Sequence, residues 1–504
     1  MAVFDEGFAA LPFDAVRSAA LDRAGELGCR HADLRIERIR TQAVMLRDAR
    51  LEGAVDDLTL GMGVRVVRDG AIGFAGSVEI DADADAAVGL VERAVEVATV
   101  TARAGGEAVE LAEEPDHGSA EWTAPYRTDP TQVPLADKIG RLAAWSADVL
   151  AAQSVDHVTA SLLCVAEDKY FANLTGTTTT QRRVRLQPSL EALGLADGSS
   201  GFETMRTVAP PAGRGYEYLD GDGWDFGAEL AELPGLLADK LHAPSVEPGA
   251  YDLVIDPTNL WLTIHESVGH ATELDRALGY EAAYAGTSFA TPDQLGRLRY
   301  GSDLMHVTGD RTAPYGLATI GYDDEGVAAQ QFDLVSGGIF VGYQLDRRIA
   351  AATGAARSNG CAFADSPLNI PIQRMANVSL RPAPGSGPTT DELVAGVDRG
   401  IYVVGDKSWS IDMQRYNFQF TGQRFFLIEH GRLAGQLRDV AYQATTTDFW
   451  GALAALGGES TYLLGGAFNC GKGQPGQVAP VSHGTPSALF RQIRVLNTRA
   501  ESGR

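Results

Sequence analysis

The stretch Asp256-Pro257-Thr258-Asn259-Leu260-Trp261-Leu262-Thr263-Ile264-His265-Glu266-Ser267-Val268-Gly269-His270 follows an apolar run, Tyr251 to Ile255, that reads as a strand. Asp256 stands where an N-cap belongs and Pro257 occupies the first helical position. A strand feeding directly into a helix is therefore expected. Two histidines and a glutamate sit on that helix in the order H-E-x-x-x-H. In the common H-E-x-x-H pattern, four-residue spacing returns both imidazoles to one helical face, whereas five residues on an ideal α-helix leave them about 140° apart. A single π turn, with its i to i+5 hydrogen bond, restores the shared face, so a widened turn is expected between His265 and His270. Gly269, at a cost of about 1 kcal/mol relative to Ala in a helix, fits a backbone that has to distort there.

A catalytic zinc takes three protein ligands and keeps one position open, so with His265 and His270 as ligands and Glu266 as general base a third donor is needed. Cys470 is the best candidate. It lies in Gly465-Gly466-Ala467-Phe468-Asn469-Cys470-Gly471-Lys472-Gly473-Gln474-Pro475, where glycines let the backbone approach closely and Lys472 is expected to favour the thiolate. Glu273 and Asp275 are alternative ligands, or partners that orient an imidazole. Cys29, Cys164 and Cys361 read as packing residues. Gly471, Gly473 and Gly476 reproduce G-x-G-x-x-G, but Pro475, Pro480 and the lack of a helical pattern after them argue against a dinucleotide site.

Before this helix the chain reads as alternating helices and strands. Val16, Ala20, Ala24 and Leu27 recur at helical spacing with Gly28 as the stop, and period-two segments flank Asp69-Gly70, a hairpin signal. A helix follows over 84–103, then an acidic, Pro-containing stretch from Glu113 to Pro134 that reads as a linker or mobile loop. The order recurs with a helix near Leu135 to Ala152, strands from Val158 through Val184 and a helix near Asp225 to Leu241, an echo without residue identity. After Leu241 short strands and Gly turns dominate, as at Ser336-Gly337-Gly338 and His430-Gly431. The expected fold class is α+β, with α/β units over 1–115 and 116–245 and a β-rich domain over 246–504 carrying the metal helix.

The composition narrows the function. A chain of 504 residues is long enough for two or three cores. Its 66 Asp and Glu against 42 Lys and Arg give a formal charge of -24, which repels phosphate backbones and anionic lipid, so neither nucleic acid nor membrane is an expected partner. No stretch reaches the ~18 uninterrupted apolar residues of a membrane span, and the acidic start MAVFDEGFAALPFD does not resemble a secretory signal. Four scattered cysteines in a chain this long fit a reducing compartment, so a cytoplasmic protein without disulfides is expected.

His265-Glu266-Ser267-Val268-Gly269-His270 together with Cys470-Gly471-Lys472-Gly473-Gln474-Pro475 resembles the TldD/PmbA family, historically labelled modulators of DNA gyrase. Asp323-Asp324-Glu325-Gly326 and Arg374-Met375-Ala376-Asn377 support the resemblance, as do Glu273 and Asp275 just past the second histidine. It implies a zinc metalloprotease subunit acting on peptides or unfolded segments and working with a paralogous PmbA/TldE-like subunit that lacks the histidine motif. The motif residues carry over one by one, with His265, His270 and Cys470 as zinc ligands and Glu266 as the catalytic base. A non-catalytic, chaperone-like subunit of the same fold is the alternative, and the intact motif set argues against it. A different H-E-x-x-x-H exopeptidase would take its third ligand, a Glu, from a following helix, and no E-E-x-x-R segment follows. The stretch from Arg276 to Asp310 contains no interpretable motif.

Overall fold

Long hairpins set the architecture of the N-terminal part. In a computed structural model, which describes residues 4–78, 82–105, 107–196 and 201–501, α1 (Phe13–Glu26) turns Val16, Ala20 and Ala24 inward. The chain then runs into β1 (His31–Arg47), β2 (Arg50–Arg68) and β3 (Ala71–Ser77). Asp69 and Gly70 have φ of 51° and 75°, the positive pair that a two-residue type I′ hairpin requires. Helix α2 (Ala84–Ala104), capped by Asp83, buries Leu90, Val91, Ala94 and Ala98 beneath them.

The second unit repeats the order. It consists of β4 (Ser119–Thr123), α3 (Leu135–Leu150), β5 (His157–Asn173), β6 (Thr178–Leu195), β7 (Phe202–Arg206) and α4 (Phe226–His242). The two units share one seven-stranded sheet of order β3-β2-β1-β5-β6-β4, with β7 also paired to β6. β1 and β5 run antiparallel from the Asp33–Asn173 pair to the Arg47–Thr159 pair, so the two long hairpins lie side by side. Residues 119–123, expected within a linker, instead lie parallel to β6, with Trp122 beside Gln181. Strand formation there gives the backbone of an otherwise polar segment its hydrogen-bond partners.

The C-terminal part is β-rich. Its main strands are β8 (Gly249–Ile255), β9 (Arg399–Ile411), β10 (Asn417–Glu429), β11 (Arg432–Leu437), β12 (Val440–Thr445) and β15 (Ala488–Asn497), with β13 (Leu463–Lys472) and β14 (Gln477–Thr485) forming a separate hairpin. The order is β9-β8-β15-β12-β10-β11, and an additional β9–β10 pairing closes the first five strands into a ring. Both expected Gly turns are present, with Gly337 and Gly338 at φ 53° and 74° and His430 and Gly431 at 50° and 73°.

Helix α5 (Pro257–Ile264) leaves β8 through Asp256, whose carboxylate accepts from the Thr258 amide at 2.9 Å. Every residue of α5 is buried, and a helix enclosed on all sides has to satisfy its polar groups internally. Asn259 does so, donating to the Gly405 and Thr421 carbonyls and accepting from the Tyr442 hydroxyl. Leu260, Ile264 and Val268 pack with Phe418, Phe420, Tyr442 and Phe490, each buried side chain contributing about 1.5–3 kcal/mol.

The N-terminal sheet docks on the C-terminal part through charge and close backbone approach. Two pairs cross between the parts, Arg65 with Glu325 and Lys169 with Asp324 at 2.7 Å, and within the sheet beside them Arg65 also pairs with Asp33 at 2.5 Å and Glu167 takes both Arg183 and Arg185. Beside them, Gly61, Gly63 and Gly76 form a bare patch against the loop at Pro367; a Cβ on Gly76 would stand 2.2 Å from the Pro367 carbonyl oxygen.

Candidate metal centre

From His265 the helix widens. Residues His265–Gly269 form one π turn, and the His270 amide donates to the His265 carbonyl, the i to i+5 bond anticipated from the spacing. Both imidazoles thus share a side, with ring centroids 4.7 Å apart. Gly269 has ordinary helical angles, φ −52° and ψ −61°, so backbone distortion is not why glycine stands there. A Cβ would instead meet the sulfur of the buried Met375 at 2.5 Å. Glycine thus lets Met375 pack closely against the helix.

Cys470 arrives on β13, opposite Ala479 of β14. The ligand atoms of His265, His270 and Cys470 lie within 4.8 Å of one another, and all three residues are buried. Cys470 Sγ is 3.6 Å from His270 Nε2. Zinc bonds of about 2.0 Å to nitrogen and 2.3 Å to sulfur, at a tetrahedral angle, place two such donors about 3.5 Å apart, so the donor set fits that ion.

The hydrogen bonds behind the imidazoles decide which nitrogens are free. His270 Nδ1 lies 2.8 Å from Glu273 Oε2. Burial opposes a charge on Glu273, but the Lys472 ammonium and His270 outweigh it and hold the carboxyl well below its ordinary range, so Glu273 accepts and His270 donates from Nδ1. Nε2 is left with its lone pair toward Cys470. His265 Nδ1 lies 2.7 Å from Nε2 of His483, whose own Nδ1 is 2.9 Å from the Val378 carbonyl. Burial keeps both of these imidazoles below their ordinary range, hence neutral, and His270 well below it.

Glu266 is buried beside these groups, with Oε2 accepting from Arg415 Nη1 at 2.6 Å. Arg415 sits at φ 64° in the turn between β9 and β10, where the Asp412 carboxylate accepts from the amides of Gln414, Tyr416 and Asn417. The segment following α5, which carries no motif, braces this turn: Thr287 and Phe289 donate backbone bonds to Met413 and Gln414. Ala285 carbonyl accepts from Arg276 and Arg415.

The structure moves Lys472 away from its expected role. Its ammonium donates to Glu273 Oε1 at 2.9 Å, Asp275 Oδ1 at 2.8 Å and Gln373 Oε1 at 3.1 Å. A buried ammonium is drawn to carboxylates that neutralise it. The cation beside the thiol is Arg374, which donates to the Cys470 carbonyl. Burial pushes the Cys470 thiol up to about 11, with Arg374 opposing it. Asp275 thus lies with Lys472, while Glu273 stands behind His270. Gly471, Gly473 and Gly476 lie in and beside the β13–β14 turn, which opens no helix. All four cysteines are free. Among the described residues no helix is long and apolar enough to cross a membrane.

His483 and Arg415 were not among the residues singled out from the sequence. His483 stands in Ser482-His483-Gly484, 218 positions from its partner His265, and Arg415 is one of many arginines near a turn. Neither carries a spacing that marks it.

Comparison with known proteins agrees with this geometry. Residues 248–497 match the family model described as PmbA/TldA metallopeptidase C-terminal domain, and residues 32–98 match that of PmbA/TldA metallopeptidase domain 1. A protein named metalloprotease from Methanothermobacter thermautotrophicus is 28% identical over 93% of this chain and 96% of its own length. A protein from Saccharolobus solfataricus named zinc metalloprotease TldD homolog is 24% identical over 54% of this chain and 58% of its own. The fold is shared with the crystal structure of a candidate modulator of a DNA gyrase from Thermotoga maritima, at a TM-score of 0.75 and 14% identity, covering 96% of this chain and all of that one. With both domain models matched in order along the sequence, the chain belongs to the PmbA/TldD family of metallopeptidases.

Proposed function

We propose that this chain is a zinc-dependent peptidase that hydrolyses extended peptides or unfolded polypeptide segments in the cytoplasm, working with a paralogous subunit. The observation that carries the reading is the convergence of two imidazoles and a thiol within 4.8 Å of one another, with the Glu266 carboxylate near enough to act on His265 and Cys470 by its charge. Imidazole and thiolate are the donors zinc prefers, and one relative bears zinc in its name. Held by His265, His270 and Cys470, the ion would supply Lewis-acid polarisation of a peptide carbonyl and acidification of water.

The chain's own residues supply the proton path. Arg415 occupies Oε2 of Glu266, which fixes the carboxylate and leaves Oε1 to receive a proton. As water attacks the carbonyl carbon, its proton passes to Glu266; Glu266 then delivers it to the leaving nitrogen as the C–N bond breaks. Extended substrates are favoured because strand edges in the β-rich part bind a peptide main chain with little side-chain reading. The four free cysteines fit a reducing compartment, and the paralogue follows from the resemblance of the motif set.

The test combines metal analysis of the purified protein with peptide-library cleavage, alone and with the paralogue. Hydrolysis should disappear on chelation, return with zinc and increase with the paralogue. Cys470→Ser should lose the metal. Stoichiometric zinc and normal turnover in that variant would overturn the ligand assignment, and equal cleavage of one sequence as a folded domain and as an unfolded peptide would overturn the substrate class.

A further inference from the structure

The two histidines of the proposed centre are backed differently. Behind His270 stands an ionised network of Glu273, Lys472 and Arg276. Behind His265 stands a second imidazole, fully buried, bonded in turn to a backbone carbonyl. A carbonyl oxygen only accepts, so His483 Nδ1 must donate to Val378. A neutral imidazole has one N–H, so His483 Nε2 only accepts, and the proton between the two rings belongs to His265 Nδ1. The direction of the whole chain is set by the Val378 carbonyl.

We infer that His483 is the positioning residue of the proposed centre: by accepting from His265 Nδ1 it locks His265 in the tautomer whose Nε2 lone pair faces the metal position. The inference rests on the reading of His265 as a ligand. Partners of this kind hold a ligand's ring orientation as well as its tautomer, and their loss weakens metal binding about 10- to 100-fold. His483 is itself held, with its ring nearly parallel to the Trp261 ring at 6.3 Å between centroids.

Two measurements test the inference. In metal-free wild-type protein labelled with 15N-histidine, long-range nitrogen–proton spectra should report His265 as protonated at Nδ1 and bare at Nε2; the opposite tautomer would overturn the inference. This measurement needs no zinc, so it stands even if the chain proves not to be a peptidase. Zinc affinity, read by competition with a chromophoric chelator, should fall about 10- to 100-fold in His483→Phe, which keeps a ring but offers no acceptor. His483→Gln, whose amide oxygen accepts and whose NH2 donates, should recover most of the affinity. Unchanged affinity in His483→Phe, or His483→Gln as weak as His483→Phe although both melt like wild type, would overturn it.

Discussion

Two buried polar regions of this molecule differ in how their groups are committed. Where the N-terminal sheet meets the C-terminal part, Arg65 is shared between Asp33 and Glu325, Lys169 is paired with Asp324, and Glu167 faces two guanidinium groups. At the proposed centre, ligand atoms of His265, His270 and Cys470 converge with capacity to spare, and Glu266, the residue after His265, has one oxygen taken by Arg415. Both regions bury charge-bearing residues in a low-dielectric interior. In the first the charges are matched mainly against one another, cation to carboxylate, although Arg185 keeps Nε and Nη1 without a hydrogen-bond partner among the described residues. The second directs unused lone pairs at one point, which is what a ligand asks. Burial alone would not tell them apart.

The sharpest way to break this contrast is at the interface. Arg65→Met should leave Asp33 and Glu325 buried without their cation and lower the unfolding free energy by about 3–5 kcal/mol. Denaturant melts would show this as a fall in the midpoint, and a neutral result would mean that the interface charges are not what holds the two parts together. At the centre, Glu266→Gln should leave stability and zinc content near wild type while reducing hydrolysis by roughly 10²-fold or more, the scale of lost general-base catalysis. A metal-free Glu266→Gln protein would place that residue among the ligands instead.

Acid titration sharpens the same comparison. Arg65 and His31 overcome the effect of burial and hold Asp33 down to about 2, from an ordinary 3.8. Its folded value lies below its unfolded one, so the stabilisation is present above about pH 4 and is lost as the pH falls through about 2. The shift corresponds to about 2 kcal/mol. Unfolding free energies measured from pH 5 to 2 should show this loss, and the slope should shrink in Arg65→Met. The smallest effect is expected of Arg415→Ala, which frees Glu266 without removing it. Turnover should fall about tenfold, the scale of one charge-assisted hydrogen bond, with zinc content unchanged. An unaltered rate would show that Glu266 needs no such support.

What the sequence disclosed and what it withheld divide along a physical line. The π turn followed from a five-residue spacing, and the cap of α5 from Asp256-Pro257, because local geometry fixes both. The hairpins at Asp69-Gly70, Gly337-Gly338 and His430-Gly431 were legible for the same reason. The single sheet spanning the first two units was not, because β1 and β5 meet across more than a hundred intervening residues and alternation does not name a partner strand. Lys472 was read from its neighbour in sequence, Cys470, yet answers to Glu273 and Asp275, which lie nearly two hundred positions away. His483 and Arg415 reach the centre only through tertiary packing. Gly269 does lie in the widened turn, but its angles are ordinarily helical, and what stands against it is Met375, on a different segment.

The hairpin formed by β13 and β14 carries Cys470 on one strand and His483 on the other, with His483 opposite Gly465 in the register. The proposed third ligand and the group that aims the first one are therefore mounted on a single piece of secondary structure. In engineering terms the helix and the hairpin are two matched halves of a fitting. A graft of residues 463–485 from a relative would import the thiol and the aiming imidazole together, and a shift of one strand against the other would misplace one of them.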